Sequence, residues 1–121
     1  LMRIITNSSR LSHSAPLFKQ LSILPVYDIN NLQVGCFMYS AVNRLLPQCF
    51  SSMFMTNSTL HSYSTRRHND IHQTQFRLNI TKFSIRVYGA LLWNSLDSEI
   101  KCLPTLSSFK NRYKQNLIAS L

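Results

Sequence analysis

Apolar residues recur at two different periods along this chain, and the change of period divides it. From Leu17 to Leu46, and again from Leu106 to Leu117, they return at three- and four-residue intervals, the spacing of one helical face. Between Gln75 and Val87 they alternate with polar residues, the spacing of a half-buried strand. The pattern predicts a mainly α fold with a small β element (α+β). It has a long central helix, a short strand or hairpin around 75–88 and a C-terminal amphipathic helix.

Taken in order, the chain opens with Met2-Arg3-Ile4-Ile5, which reads as the end of a helix begun upstream, residues 1–13 being its remnant plus a polar, basic linker. Ser14 then has the chemistry of a helix N-cap, with Pro16 in the first turn, where its missing N–H costs nothing. Leu17, Phe18, Leu21 and Leu24 supply the apolar face, and Pro25 is the expected stop. Asp28 is the expected cap of the longest helix, Ile29 to Leu46, closed by Pro47. On a helical wheel Asn30, Gln33, Ser40 and Arg44 share one narrow arc and nearly everything else is apolar, so this helix is expected to be contacted on several sides. Its methionine and aromatic content reads as soft core filling. Gln48 to Phe54 reads as a short helix with Phe50, Met53 and Phe54 inward.

Thr56 to Thr74 has no clear period, no glycine and no proline, and carries His61, His68 and His72. It reads as a surface loop of about 19 residues, a length that is unusual without a function. In the alternating stretch Phe76, Leu78 and Ile80 face one side and Arg77, Asn79 and Thr81 the other; Phe83, Ile85 and Val87 continue it, with Arg86 outward. Gly89 breaks the pattern. Ala90 to Leu96 then reads as a short helix carrying Trp93, Asp97 to Lys101 as another helical turn, and Pro104-Thr105 as the opening of the last helix. There Leu106, Phe109, Tyr113 and Leu117 fall within about 80° of one another, with Lys110, Arg112 and Lys114 beside them. Trp93, Phe109 and Tyr113 are the expected structural anchors, closing the domain onto the long helix. No internal repeat or low-complexity tract is visible.

Composition adds a strong bias of charge. Of 121 residues, thirteen are Lys or Arg and four are acidic, which gives a net charge of +9 and, with 45% hydrophobic residues, a basic globular chain. Such an excess of cations points to an acidic partner, RNA or DNA first and an anionic membrane surface second. Three separated cysteines, Cys36, Cys49 and Cys102, form no CxxC pair, so they are expected as reduced, buried thiols of an intracellular protein, nuclear or cytoplasmic. No basic-then-apolar leader opens the chain, and no apolar run approaches the roughly 20 residues that cross a bilayer. Sequons at Asn7, Asn57 and Asn79 are what chance yields in an Asn- and Ser-rich chain.

Motifs for chemistry are sparse. The only acids are Asp28, Asp70, Asp97 and Glu99, with no Asp-Asp pair or DxD, so this chain lacks the carboxylates of a two-metal nucleotidyl-transfer site. His68 and His72 stand four apart, yet no Glu lies between them as in HExxH; they read as solvent-facing loop histidines and no metal is expected. GxSxG and GxxxxGK[ST] are absent, and no cofactor or small-molecule substrate is expected. The run His61-Ser62-Tyr63-Ser64-Thr65-Arg66-Arg67-His68 interleaves cations, hydroxyls and one aromatic ring. Cations bind phosphate, hydroxyls add hydrogen bonds and Tyr63 can stack on a base. Arg77, Lys82 and Arg86 would extend this as a charged row along the strand faces. The candidate nucleic-acid-binding residues are therefore His61, Tyr63, Arg66, Arg67, Arg77, Lys82 and Arg86. A merely solvated loop is an equal reading of the same spacing.

Several pieces, in this order and spacing, form a pattern. They are Leu17 to Leu24 (LFKQLSIL), Phe37-Met38-Tyr39, Leu46-Pro47 with Phe50, and His61 to Arg66 (HSYSTR). Gly89, Trp93-Asn94-Ser95-Leu96, Glu99-Ile100-Lys101 and Phe109-Lys110 follow. Together they resemble the C-terminal region of LINE-type (non-LTR, jockey-like) retrotransposon reverse transcriptases, beyond the polymerase palm, over nearly the whole chain from about Arg3. That family usually continues WNSL with proline; here Asp97 follows, which can still cap the next turn. The resemblance implies a single C-terminal module of an RNA-directed DNA polymerase whose catalytic aspartates lie upstream. Its implied partners are the upstream reverse transcriptase domain and the template RNA or target DNA. Alternatives are a structural element docking on the polymerase, or a decayed transposable-element copy with no function of its own.

Overall fold

The computed structural model describes residues 1–121 and is mainly helical, with seven α-helices and almost no strand. These are α1 (Met2–Ile5), α2 (Ser14–Gln20), α3 (Val26–Val42), α4 (Asn57–Leu60), α5 (Ala90–Ser95), α6 (Ser98–Lys101) and α7 (Leu106–Ala119). Short 3₁₀ turns cover Gln48–Phe50 and Asn79–Phe83, and a π-helical turn, Ile85–Gly89, runs directly into α5. No helix is long and apolar enough to cross a membrane.

The core forms where α7 lies on α3 and both meet α5. Its centre is Phe109, fully buried, with the rings of Tyr39, Trp93 and Tyr113 at centroid distances of 4.8, 5.9 and 5.7 Å. The stripe read from α7 thus packs largely as its spacing requires: Phe109 and Tyr113 are buried and Leu117 half-buried, while Leu106 lies at the exposed edge. Thr105 caps this helix, its hydroxyl oxygen accepting the Ser108 N–H at 3.2 Å. The Tyr39 hydroxyl donates to the Leu103 carbonyl at 2.6 Å and ties α3 to the turn that feeds α7.

Both glycines serve close packing. A Cβ on Gly35 would stand 2.6 Å from Tyr113 Cε1, and one on Gly89 would stand 2.7 Å from Met38 Sδ. Gly35 lets α7 press its tyrosine ring onto the α3 backbone, and Gly89 lets the π-helical turn settle on α3. Neither takes a positive φ. That conformation falls instead to Asn7, Ser22 and Arg44, at φ 49°, 53° and 56°. Each sits just past a helix end, and in each case the next residue's N–H reaches back to a free carbonyl: Ser8 to Arg3, Ile23 to Phe18 and Leu45 to Ser40. This is the Schellman closure, which usually employs glycine.

These closures correct the helix limits read from proline. The second helix stops at Gln20, well before Pro25, and the long helix stops at Val42, well before Pro47. Pro25 instead occupies the N-cap of α3, so Asp28 lies inside the first turn, where its charge complements the helix dipole, and makes no capping hydrogen bond. His13 rather than Ser14 is the N-cap of α2. The long helix is enclosed only through its middle, at Leu32, Gly35, Met38 and Tyr39; Val26 and Tyr27 at its start are open to solvent. The segment after Pro47 makes one 3₁₀ turn, and Phe50 and Phe54 meet Phe37 edge-on at 6.0 and 6.1 Å.

The strand or hairpin predicted around 75–88 does not form. Leu78 is extended, but Asn79 to Phe83 tightens into a 3₁₀ turn and Ile85 to Gly89 into the π-helical turn. A ladder needs a second strand, and the only pairing present is one isolated antiparallel bridge between Thr56 and Ile71. Leu78, Ile80 and Phe83 are therefore 67, 79 and 77% exposed, and Val87 alone of the alternating set is buried. The cysteines also depart from expectation. Cys49 and Cys102 are exposed and Cys36 is half-buried, its thiol pKa pushed up by burial against the opposing pull of Lys110.

Candidate nucleic-acid interface

The loop from Thr56 to His72 is closed at its base by its own backbone. His72 N–H donates to the Met55 carbonyl at 2.7 Å, Asn57 N–H to Asp70 at 3.0 Å and Ser58 N–H to His68 at 2.8 Å. The Asn57 side-chain amide adds a bond to the Arg67 carbonyl at 2.9 Å. Helix α4 is one turn inside this closure. The result is a compact Ω-type loop with its ends together, not an open excursion.

Two further features fasten the loop to the core. Ile71, the one aliphatic residue between Leu60 and Phe76, is 3% exposed and joins the core cluster. Its backbone is gripped by Asn94 of α5. The Ile71 N–H donates to Asn94 Oδ1 at 3.0 Å, and Asn94 Nδ2 donates to the Ile71 carbonyl at 2.9 Å. The amide side chain thus stands in for a neighbouring strand. Next to it, Trp93 is 5% exposed and carries the Lys101 ammonium 5.9 Å from its ring centroid.

The candidate residues sit on this frame in two groups. His61 follows α4, and its ring stacks on Tyr63, with centroids 5.5 Å apart and planes 25° from parallel. Tyr63 is 65% exposed, and Arg66 and Arg67 are exposed in the turn that follows. His68 donates from Nδ1 to the Thr65 carbonyl at 2.8 Å, since a carbonyl can only accept. His68 and His72 lie outside any helix, so their spacing does not place them on one face. The second group is exposed on the segment beyond the loop: Arg77 on open chain, Lys82 on the 3₁₀ turn and Arg86 on the π-helical turn. The charged row along strand faces is corrected with the strand itself. The Tyr88 hydroxyl, bonded to the Asn31 side chain, ties the π-helical turn to α3.

In the sequence Asn94 stands out only as part of the WNSL piece and Asn57 only as a sequon, neither with a role in the site, and Ile71 does not stand out as a site residue. Ile71 had a signal, its isolation between Leu60 and Phe76. A cavity of about 710 Å³ adjoins the loop, lined by Ala41, Phe50, Phe54, Met55 and Ile71 among others, with Arg44 at its wall. No family model, curated protein or solved structure matches this chain.

Proposed function

We propose that this chain is a C-terminal module of a LINE-type reverse transcriptase, without polymerase activity of its own, that contributes a basic nucleic-acid-binding surface. The observation that carries this reading is the loop. In a chain of net charge +9, it presents two stacked rings with Arg66 and Arg67 on a frame fastened to the core. The Asn94–Ile71 clamp also supplies a physical reason for the HSYSTR and WNSL pieces to occur together, because the second anchors the loop that carries the first.

The test is equilibrium binding of the chain to labelled RNA and DNA across a salt series. With Arg66, Arg67, Arg77 and Lys82 on duplex phosphates, about four counterions are released and log K falls with log salt at roughly −0.9 per contact, on the order of 100-fold between about 50 and 200 mM. A folded chain that binds neither nucleic acid at low salt overturns the reading.

A second reading rests on its own observation. The surface is 9081 Å², whereas a folded monomer of 14.0 kDa exposes about 6,700 Å². The excess is larger than the ~800 Å² that one partner contributes to a standard interface. Ile4, Ile80 and Phe83 are each at least three-quarters exposed. In this reading the apolar residues of α1 and of 78–83 dock on the rest of the polymerase, leaving the basic loop free. Co-expression with an upstream reverse transcriptase domain then raises the melting temperature and lowers apolar-dye binding. No change in either counts against docking.

A further inference from the structure

We infer that the closed loop is a stacking platform for unpaired bases, so that the chain binds single-stranded RNA or DNA in preference to duplex. This deepens the reading of the chain as a nucleic-acid-binding module and rests on it.

The geometry supplies the argument. Tyr63 is large, aromatic and 65% exposed, an arrangement that leaves a broad apolar face in water. His61 covers one side of its ring at 5.5 Å and 25°, which holds the phenol in place while the rest of the ring stays open. An incoming base would extend a stack already two rings deep. Every base has a π-face, so such a platform selects no sequence; it selects for bases not already stacked in a duplex. Base pairs inside a duplex have no free face to offer.

Rigidity comes from the loop's closure. Four hydrogen bonds join its ends, at 2.7, 3.0, 2.8 and 2.9 Å, and the Asn94 clamp fastens it to α5. The segment contains neither glycine nor proline. With the base of the loop fixed and His61 stacked on the ring, less of the chain has to be ordered when a base lands on Tyr63. Arg66 and Arg67, on the same loop and exposed, supply cations for the phosphates of a stacked strand. Charge alone would serve duplex and single strand alike. The exposed ring stack is what separates them.

The experiment compares fluorescence anisotropy on labelled oligo(dT), oligo(rU) and a blunt DNA duplex of the same length. Wild-type chain is expected to bind both single strands more tightly than the duplex. Tyr63→Ala is expected to weaken single-strand binding by about 5- to 150-fold, the span of ~1–3 kcal/mol per stacked base, and to leave duplex affinity within about two-fold. Tyr63→Phe keeps the face and retains wild-type affinity. Arg66→Ala with Arg67→Ala weakens all three probes. Equal losses on oligo(dT) and oligo(rU) are expected, because the ring grips the base and not the sugar. The platform is overturned if Tyr63→Ala leaves single-strand binding intact, lowers all three probes alike, or acts on one sugar type only. In each of those results loss of binding by the double arginine variant still upholds the basic surface. Absence of binding to every probe overturns the basic surface itself.

Discussion

The Asn94 side chain holds Ile71 by both backbone polar groups, at 3.0 and 2.9 Å, across 23 residues of sequence. One amide thus couples the tryptophan helix to the basic loop. Asn94→Ala removes both bonds and leaves a partly buried N–H and C=O to find other partners. The expected cost is about 1–3 kcal/mol, measured by urea unfolding, with faster amide exchange at Ile71. An unchanged exchange rate at Ile71 would show that burial of its side chain alone holds the loop.

Gly35 and Gly89 are expected to respond differently to alanine. At Gly35 the new methyl meets the ring edge of Tyr113, itself buried against Phe109. Overpacking of this kind costs about 1–3 kcal/mol, more than the ~1 kcal/mol of helix propensity that alanine restores. At Gly89 the clash is with the thioether of Met38, a flexible chain that can turn aside more readily than a ring. Thermal melts of the two variants should place Gly35→Ala below Gly89→Ala; the reverse order would contradict this account of the α3–α7 contact.

Arg44 closes the long helix at φ 56°. A left-handed conformation is disfavoured for any residue with a Cβ and natural to glycine. Arg44→Gly is therefore expected to raise stability by roughly 0.5–1 kcal/mol, and Arg44→Val to lower it, since a β-branched residue tolerates that region worst. Denaturant midpoints with unchanged slopes would establish both effects. A destabilised glycine variant would mean that the arginine side chain contributes more than its backbone strain costs.

Tyr113 has its pKa pushed up to about 12, first by burial and then by Tyr88, Asp28 and Cys36. In the unfolded chain the phenol ionises near 10. Below that pH both states are protonated and the group has no effect. Between about 10 and 12 the unfolded state loses the proton first, so stability falls by up to ~1.4 kcal/mol per pH unit. Stability curves at alkaline pH should show a drop that Tyr113→Phe reduces. If the drop is the same in both proteins, Tyr113 ionises equally in folded and unfolded chain.

Local signals were the legible part of this fold. The last helix carries a capping threonine and four apolar residues at helical spacing, each condition met within a few residues, and it forms nearly where its pattern predicts. Trp93 was recognisable as a core anchor because so large an apolar ring is rarely left in water. The basic, ring-bearing run from His61 to Arg67 was legible as a candidate surface from residue type alone.

Helix ends and the apparent strand depart from the local signals for two physical reasons. Proline is a strong local stop, but a chain that adopts a left-handed residue earlier ends its helix there, and neither Ser22 nor Arg44 advertises that conformation. Alternation announces a strand only if a second strand exists to receive it. Along 76–83 no partner does, and the backbone turns instead.

The sequence by itself determined the helical character, the aromatic core and the positive charge, because periodicity, size and ionisation belong to residues and their near neighbours. Tertiary structure alone decided that both glycines serve close packing, that the alternating stretch stays unpaired, and that Asn94 binds the loop at Ile71. Each of these depends on which distant surfaces meet. Tyr113 lies far along the chain from Gly35, and no local pattern of either residue encodes the distance between them.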